Sequence, residues 1–204
     1  MPNPIKGLVN SLLRTVTSLE RPSPTTNAER LARRGETVES LVIRDAVPAD
    51  IPALAQLHVT TWNATYAALL MNGPSVALRE QQWREAFAKD DGRWFCFVVE
   101  NAKGELVGFA KGERSDNPQY AGELSKIYLL SEYQRLGIGR RLICHVARRF
   151  LSQGITSMWL FGDARNPSVN AWLALGAVKT DDDPGNGNYG WRDLHRLAEI
   201  CPVN

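Results

Sequence analysis

The 204-residue sequence predicts an α/β (α+β) fold, and three observations carry that expectation. Residues 123–130 form an apolar-rich run of strand character that leads through the turn Gln134-Arg135-Leu136-Gly137-Ile138-Gly139 into a long amphipathic segment. On that segment Ile138, Leu142, Ile143, Val146, Phe150 and Leu151 share one face, while Arg140, Arg141, Arg148 and Arg149 fall elsewhere, which specifies a helix with one buried side. Residues 95–100 and 105–110 read as two strands joined by a turn at 101–104, and residues 158–161 as a further strand. Gly154 stands where the amphipathic helix would stop.

The length suits one full core plus an extension, here residues 1–40 ahead of a domain spanning 41–204. Within the extension, residues 7–19 have the pattern of an amphipathic helix with no acidic residue before Glu20, and Pro22 and Pro24 then break it. This is a tail, or a helix that packs on the domain or a partner subunit; an organelle targeting peptide has the same style. Residues 1–34 carry six Lys/Arg against two Glu, but the whole chain has a net charge of only +2, which gives no global pull toward nucleic acid or an anionic membrane. No apolar run approaches the roughly 20 residues that span a bilayer. Cys96, Cys144 and Cys201 are odd in number and widely spaced with no paired motif, as fits a reducing cytosol and a cytoplasmic protein. The three histidines lack ligand spacing, so no metal site is expected. Residues 181–188 form a turn-rich acidic loop before a closing strand around 189–193.

The turn at 134–139 carries the most chemistry. A glycine turn that opens a helix leaves backbone N–H groups unpaired, with the positive end of the helix dipole behind them, and such a site binds anions, phosphates above all. Gly137 and Gly139 let the backbone approach a ligand, and Arg135, Arg140 and Arg141 add positive charge. Leu142 stands where a dinucleotide fold would place its third glycine, and the Gly-Lys-Ser/Thr ending of a nucleotide P-loop is missing.

The turn resembles motif A of the GNAT acetyltransferases, Gln/Arg-x-x-Gly-x-Gly/Ala. Residues 41–54 resemble that family's opening strand and the helix after it, begun near Pro48 and Asp50, and 58–66 the second-helix region of a bacterial branch. Residues 166–176 resemble its last-helix motif. The resemblance covers residues 41–193 in order. It implies a central, mostly antiparallel mixed sheet of about seven strands, splayed between the fourth and fifth and flanked by helices. It also implies acetyl-CoA as co-substrate. Gln134, Arg135, Leu136, Gly137, Ile138, Gly139 and Arg140 would then grip the pyrophosphate. Ile127, Tyr128 and Leu129 would line the pantetheine arm with their backbone, Leu129 N–H being the candidate to polarise the thioester carbonyl. Asn166 and Trp172 are further contact positions; Asn166 equally suits helix capping, and Trp172 equally suits core packing.

Acetyl transfer needs a neutral amine, and an alkylammonium has a pKa near 10.4, so a base must take its proton. Glu123, eleven residues before Gln134, matches the position where a branch of the family that includes histone acetyltransferases places a catalytic glutamate. A solvent-facing or hydrogen-bonded carboxylate at a strand start is the alternative for it, and Glu113 is the second candidate base. The family's usual tyrosine acid falls on Trp172 or, counted from Asn166, on Leu173. Neither donates a proton at neutral pH, so solvent, Tyr128 or Tyr189 would protonate the departing thiolate. Trp62 and Tyr66 are the candidate acceptor-binding residues, flanking a cationic amine or filling core. His58 beside them has a structural or a substrate role, and His195 reads as surface. Cys144 and His145 resemble a dyad, but neighbours on a helix point apart. The expectation is an N-acetyltransferase working by direct attack on acetyl-CoA, its acceptor a small-molecule or peptide amine, with a homodimer as an option the resemblance adds. A non-catalytic acyl-CoA-binding module is the rival reading, and a nucleotide or dinucleotide enzyme the remote one.

Overall fold

In the computed structural model, residues 25–66, 73–89, 91–163, 166, 168–180 and 186–201 are described. The segment 7–19 and most of the acidic loop at 181–188 lie outside them. In chain order the elements are α1 (Asn27–Arg33), β1 (Val42–Asp45), α2 (Ile51–Tyr66), α3 (Val76–Lys89), β2 (Trp94–Glu100), β3 (Leu106–Arg114), β4 (Gly122–Leu129), α4 (Ile138–Ser152), β5 (Met158–Asp163), α5 (Val169–Ala174), β6 (Val178–Lys179), β7 (Asn186–Trp191) and α6 (Leu194–Glu199). The seven strands form one sheet in the order β1-β2-β3-β4-β5-β7-β6. All neighbours are antiparallel except β4 and β5, which pair in parallel only at Gly122–Met158 and Glu123–Trp159. Beyond those two residues the strands part, so the sheet is splayed where the sequence resemblance implied.

Both faces of the sheet are covered, and an irregularity in β4 decides which of its residues face where. On one side α4 buries Ile138, Leu142, Ile143, Val146 and Phe150 against Phe95, Phe97, Leu124 and Leu160. Gly112 and Gly122 make room for Phe150, whose ring would lie 3.0 Å from a Cβ at either position. On the other side α2 and α3 bury Leu54, Ala55, Leu57 and Trp83 against Cys96, Val98 and Phe109. Between β3 and β4 the register shifts: Lys111 faces Lys126 but Gly112 faces Leu124, so Ser125 is the extra residue of a β-bulge. Leu124 points to the α4 side, and after the bulge Ile127 and Leu129 do so as well. Glu123, Lys126 and Tyr128 are thereby turned to the α2/α3 side.

The chain from Thr25 onward packs on this core. Thr26 and Glu29 form a capping box for α1, and Leu31 is 1 % exposed. Glu36 is buried and accepts a 2.7 Å hydrogen bond from the Tyr133 hydroxyl. β3 runs four residues past the stretch read as a strand, to Arg114, and α6 follows an Asp193 cap that sequence patterning did not reveal. Wide spacing also hid a pairing: Cys144 on α4 and Cys201 after α6 are disulfide-bonded, with Cα atoms 5.8 Å apart, while Cys96 is free and buried. The Cys144–His145 pair therefore holds no free thiol; the His145 ring rests 5.5 Å from Phe97.

Candidate active site

The turn expected to cradle phosphate is built mostly of backbone. Among the described residues Arg135 is the one non-glycine residue with positive φ, 62°, and Gly137 follows at φ 79° as the N-cap of α4, with no side chain closing the helix end. Two left-handed residues so close together turn successive N–H groups toward one concavity, a nest that favours anions. The two glycines are there for different reasons. A Cβ at Gly137 would meet nothing within 4 Å, so its backbone angle is what calls for glycine. Gly139 has ordinary helical geometry, and a Cβ there would meet only Leu129 Cδ1 at 3.7 Å. Neither conformation nor packing within the chain requires glycine at 139.

Side chains brace this loop from outside. Asn27 Nδ2 on α1 donates to the carbonyls of Ser131 (2.8 Å) and Gln134 (2.9 Å). Arg141, expected to add charge at the cradle, donates to the carbonyl of Val38 at 3.1 Å and so also ties down the N-terminal segment. Arg140 donates to the carbonyl of Ile200, so the chain after α6 forms a wall beside the loop. Leu136, Gly137, Arg140, Arg141, Glu199, Ile200 and Cys201 line an open cavity of about 450 Å³ there. The C-terminal wall and the Asn27 brace were missed by sequence reasoning, because both are contacts across 60 or more residues.

Next to the cradle, β4 offers a free edge. Leu130 N–H donates to the Val107 carbonyl at 3.0 Å, which fixes the alternation of the β3–β4 ladder. Ile127 and Leu129 are then the positions whose N–H and C=O point away from β3, toward the gap left by β5. The Leu129 carbonyl is taken by Gln134 Nε2 at 3.0 Å; the Leu129 N–H faces the opening, where the sequence placed its candidate carbonyl donor.

On the α2/α3 side of the sheet the structure gathers the acid–base candidates. Glu123 and Glu113 stand directly opposite one another across β4 and β3. Glu113 is ion-paired with Lys111 at 2.7 Å, and its carboxyl is held below the ordinary range, against its burial, mainly by the bonds from Lys111 and Ser125. Glu123 accepts no hydrogen bond and forms no ion pair among the described residues. Burial, reinforced by the Glu113 charge, raises its pKa above the ordinary value of 4.5. Of the two carboxylates, Glu123 is the unengaged and more basic one.

The remaining candidates divide cleanly. Trp62 and Tyr66 pack at 5.0 Å between ring centroids, and Tyr66 lies beside Tyr128, whose phenol is pushed upward by burial first and by Tyr66 second. His58 is 2 % exposed, between Trp83, Phe109 and Tyr128, and burial pushes its pKa down to about 3, so it stays neutral. Trp172 is buried and fills the space over Gly162, 5.7 Å from the ring of Tyr189. Asn166 Oδ1 accepts from Ser168 N–H at 2.9 Å, a local turn ahead of α5. His195 is exposed on α6. Among the described residues no group of three or more His, Cys, Asp or Glu is placed to hold a metal ion, and no helix is long and apolar enough to cross a membrane.

Comparison with known proteins adds to this geometry. Residues 53–177 match the model of the acetyltransferase (GNAT) family. An uncharacterized N-acetyltransferase of Bacillus subtilis (strain 168), YuaI, is 32 % identical over 174 residues, covering 78 % of this chain and 98 % of its own. Among solved structures, the PaiA N-acetyltransferase of Thermoplasma acidophilum in complex with coenzyme A aligns with a TM-score of 0.56 at 21 % identity, over 74 % of this chain and 98 % of that one. The spermidine N-acetyltransferase of Vibrio cholerae in complex with CoA and spermine aligns at 0.59 and 17 % identity, over 78 % and 98 %. The motif, the splayed sheet and these matches agree: the chain belongs to the GNAT family of acetyltransferases, an acyltransferase whose co-substrate is acetyl-CoA.

Proposed function

We propose that the protein transfers the acetyl group of acetyl-CoA to a primary amine by direct attack in a ternary complex, with Glu123 as general base. The observation that carries this reading is the state of Glu123: half-buried, raised in pKa, without a hydrogen-bond partner among the described residues, and located where β4 leaves β5. Acetyl-CoA supplies an activated thioester; the chain supplies position and proton handling. The 134–140 turn holds the phosphates and the open edge of Ile127 and Leu129 runs alongside the pantetheine arm, with Leu129 N–H available to the thioester oxygen. Glu123 takes the proton of the ammonium, directly or through water.

No tyrosine stands in the usual acid position, and Tyr189 is 4 % exposed and packed against Trp172. A thiolate with an ordinary pKa of about 8.5 leaves tolerably without a dedicated donor, so solvent protonates it in this reading. Tyr128 is partly exposed and faces the same side as Glu123, and is the alternative donor. The acceptor side is bordered by Trp62 and Tyr66. We place the enzyme in the cytoplasm, where acetyl-CoA is available.

Replacing Glu123 by Gln tests the reading. Turnover with a working amine should fall by about 10²–10⁴-fold, with acetyl-CoA affinity unchanged. Equal turnover in wild type and variant would remove Glu123 from the mechanism. Acetyl-CoA binding with no transfer to any amine would favour the non-catalytic module, since such a module has no turnover to lose.

A further inference from the structure

The acceptor-side face of the sheet holds more positive charge than the chain itself neutralises. Three cations border it. Lys111 is balanced by Glu113 at 2.7 Å and lies 5.7 Å from the Trp94 ring centroid. Lys126 stands directly opposite Lys111, a like-charge pairing that costs stability in a sheet. It is partly buried and has no hydrogen bond or ion pair among the described residues. The third cation, Arg79, comes from α3, one helical turn before Trp83, whose ring touches His58 and Phe109. Arg79 Nη1 donates to Gln82 Oε1 at 2.8 Å, while its Nε is buried with no acceptor.

Lys126 on β4 and Arg79 on α3 flank the same aromatic cluster from two elements. Lys126 shares its strand face with Tyr128, two residues on, and the Tyr128 ring lies 5.4 Å from His58. Both cations help to depress the His58 pKa, after burial itself. Glu123 is on the same strand face, on the other side of the bulge. A desolvated cation without a partner is expensive, and an anion supplied by a ligand would offset that cost.

Resting on the acetyl-transfer reading above, we infer that the acceptor is an amino-carboxylate, a small molecule bearing its amine beside Glu123 and an anionic carboxylate that pairs with Arg79 and Lys126. The guanidinium fork suits a planar carboxylate, and the ammonium of Lys126 closes on it as a point charge. The same charges disfavour an acceptor with a second cationic amine, such as the spermine seen with the Vibrio cholerae structure. Specificity then comes from repulsion of polyamines as much as from attraction of the carboxylate.

The test uses the full-length enzyme with glycine, 4-aminobutyrate, 6-aminohexanoate and lysine, the carboxamide of each, and spermidine. Binding to the CoA-loaded protein is measured by calorimetry and acetylation by turnover. At least one amino-carboxylate should bind and react more than tenfold better than its amide, and spermidine should be poor. Arg79→Gln and Lys126→Gln should each erase the difference between acid and amide, with acetyl-CoA affinity unchanged and thermal stability equal or higher, since a desolvated charge is removed. A preference for amides or spermidine, or an acid preference untouched by both variants, would overturn the inference. Carboxylate-dependent binding without acetylation would support the anion site while sinking the acetyl-transfer reading, so the two fail separately.

Discussion

In the proposed reading the cradle and the acceptor face lie on either side of β4 and would recognise their ligands by opposite means. At the cradle, recognition is built into the backbone: two left-handed residues, a helix end with no side-chain cap and a glycine that nothing in the chain requires. At the acceptor face it would depend on side chains drawn from β3, β4 and α3, several of them charged, among them Lys126 with no hydrogen bond or ion pair among the described residues and Arg79 with its Nε unsatisfied. Backbone recognition suits a ligand part that never varies, the pyrophosphate. Side-chain recognition suits the part that distinguishes one enzyme of this fold from another, the amine. Substitutions should therefore separate along the same line, with cradle changes altering acetyl-CoA affinity and face changes altering turnover and acceptor choice.

The Glu123→Gln loss described above is the largest effect expected and confines itself to turnover. Next comes Gly139→Ala. The added methyl meets only Leu129 Cδ1 at 3.7 Å, so the fold should tolerate it, and removing glycine from a helix gains about 0.5–1 kcal/mol of stability. Acetyl-CoA binding should nevertheless weaken by at least about tenfold, a clash of about 1.4 kcal/mol with the ligand. Asn27→Ala removes two hydrogen bonds that hold the loop carbonyls of Ser131 and Gln134. At about 1 kcal/mol each in stability, part of it expressed in loop order, acetyl-CoA affinity should fall about fivefold and acceptor preference should not move.

The smallest effect is a shift in pH dependence. The acid limb of kcat/KM should lie above the ordinary carboxylate value of 4.5, because burial and then Glu113 raise the pKa of Glu123. Activity is thus lost as pH falls through that raised value. In Glu113→Gln the neighbouring negative charge disappears and Lys111 is released, both of which favour ionised Glu123, so the limb should move to lower pH. A limb that stays in place or moves upward would detach Glu123 from the titration. His58 provides a separate check on stability: neutral in the fold down to about pH 3, it takes up a proton near 6.5 once unfolded, so its contribution is present above 6.5 and is lost as pH falls toward 3. By denaturant midpoint, wild type should lose stability relative to His58→Leu as pH falls through that window.

How legible each region was follows from the same contrast. The cradle is one contiguous segment, and the strand, Gln134–Gly139 turn and amphipathic α4 stand in sequence as they stand in space. The acceptor face is not contiguous, and its facing turns on one residue. Strict alternation from Leu124 would put Lys126 on the α4 side with the core; the bulge at Ser125 turns it to the other face. Nothing in the order Leu-Ser-Lys-Ile announces that extra residue. Arg79 reads in the sequence as one charge among many on a polar helix, and only its place one turn before Trp83 sets it over the sheet. The Cys144–Cys201 bond and the Asn27 brace were hidden by separation along the chain.

The most direct test is a calorimetric titration of acetyl-CoA into wild type, Gly139→Ala and Glu123→Gln, with thermal melts on the same samples. The account predicts saturable binding to wild type, equal affinity for Glu123→Gln, and affinity at least about tenfold lower for Gly139→Ala at an undiminished melting temperature. Equal affinity in all three proteins, or no binding to wild type, would contradict it.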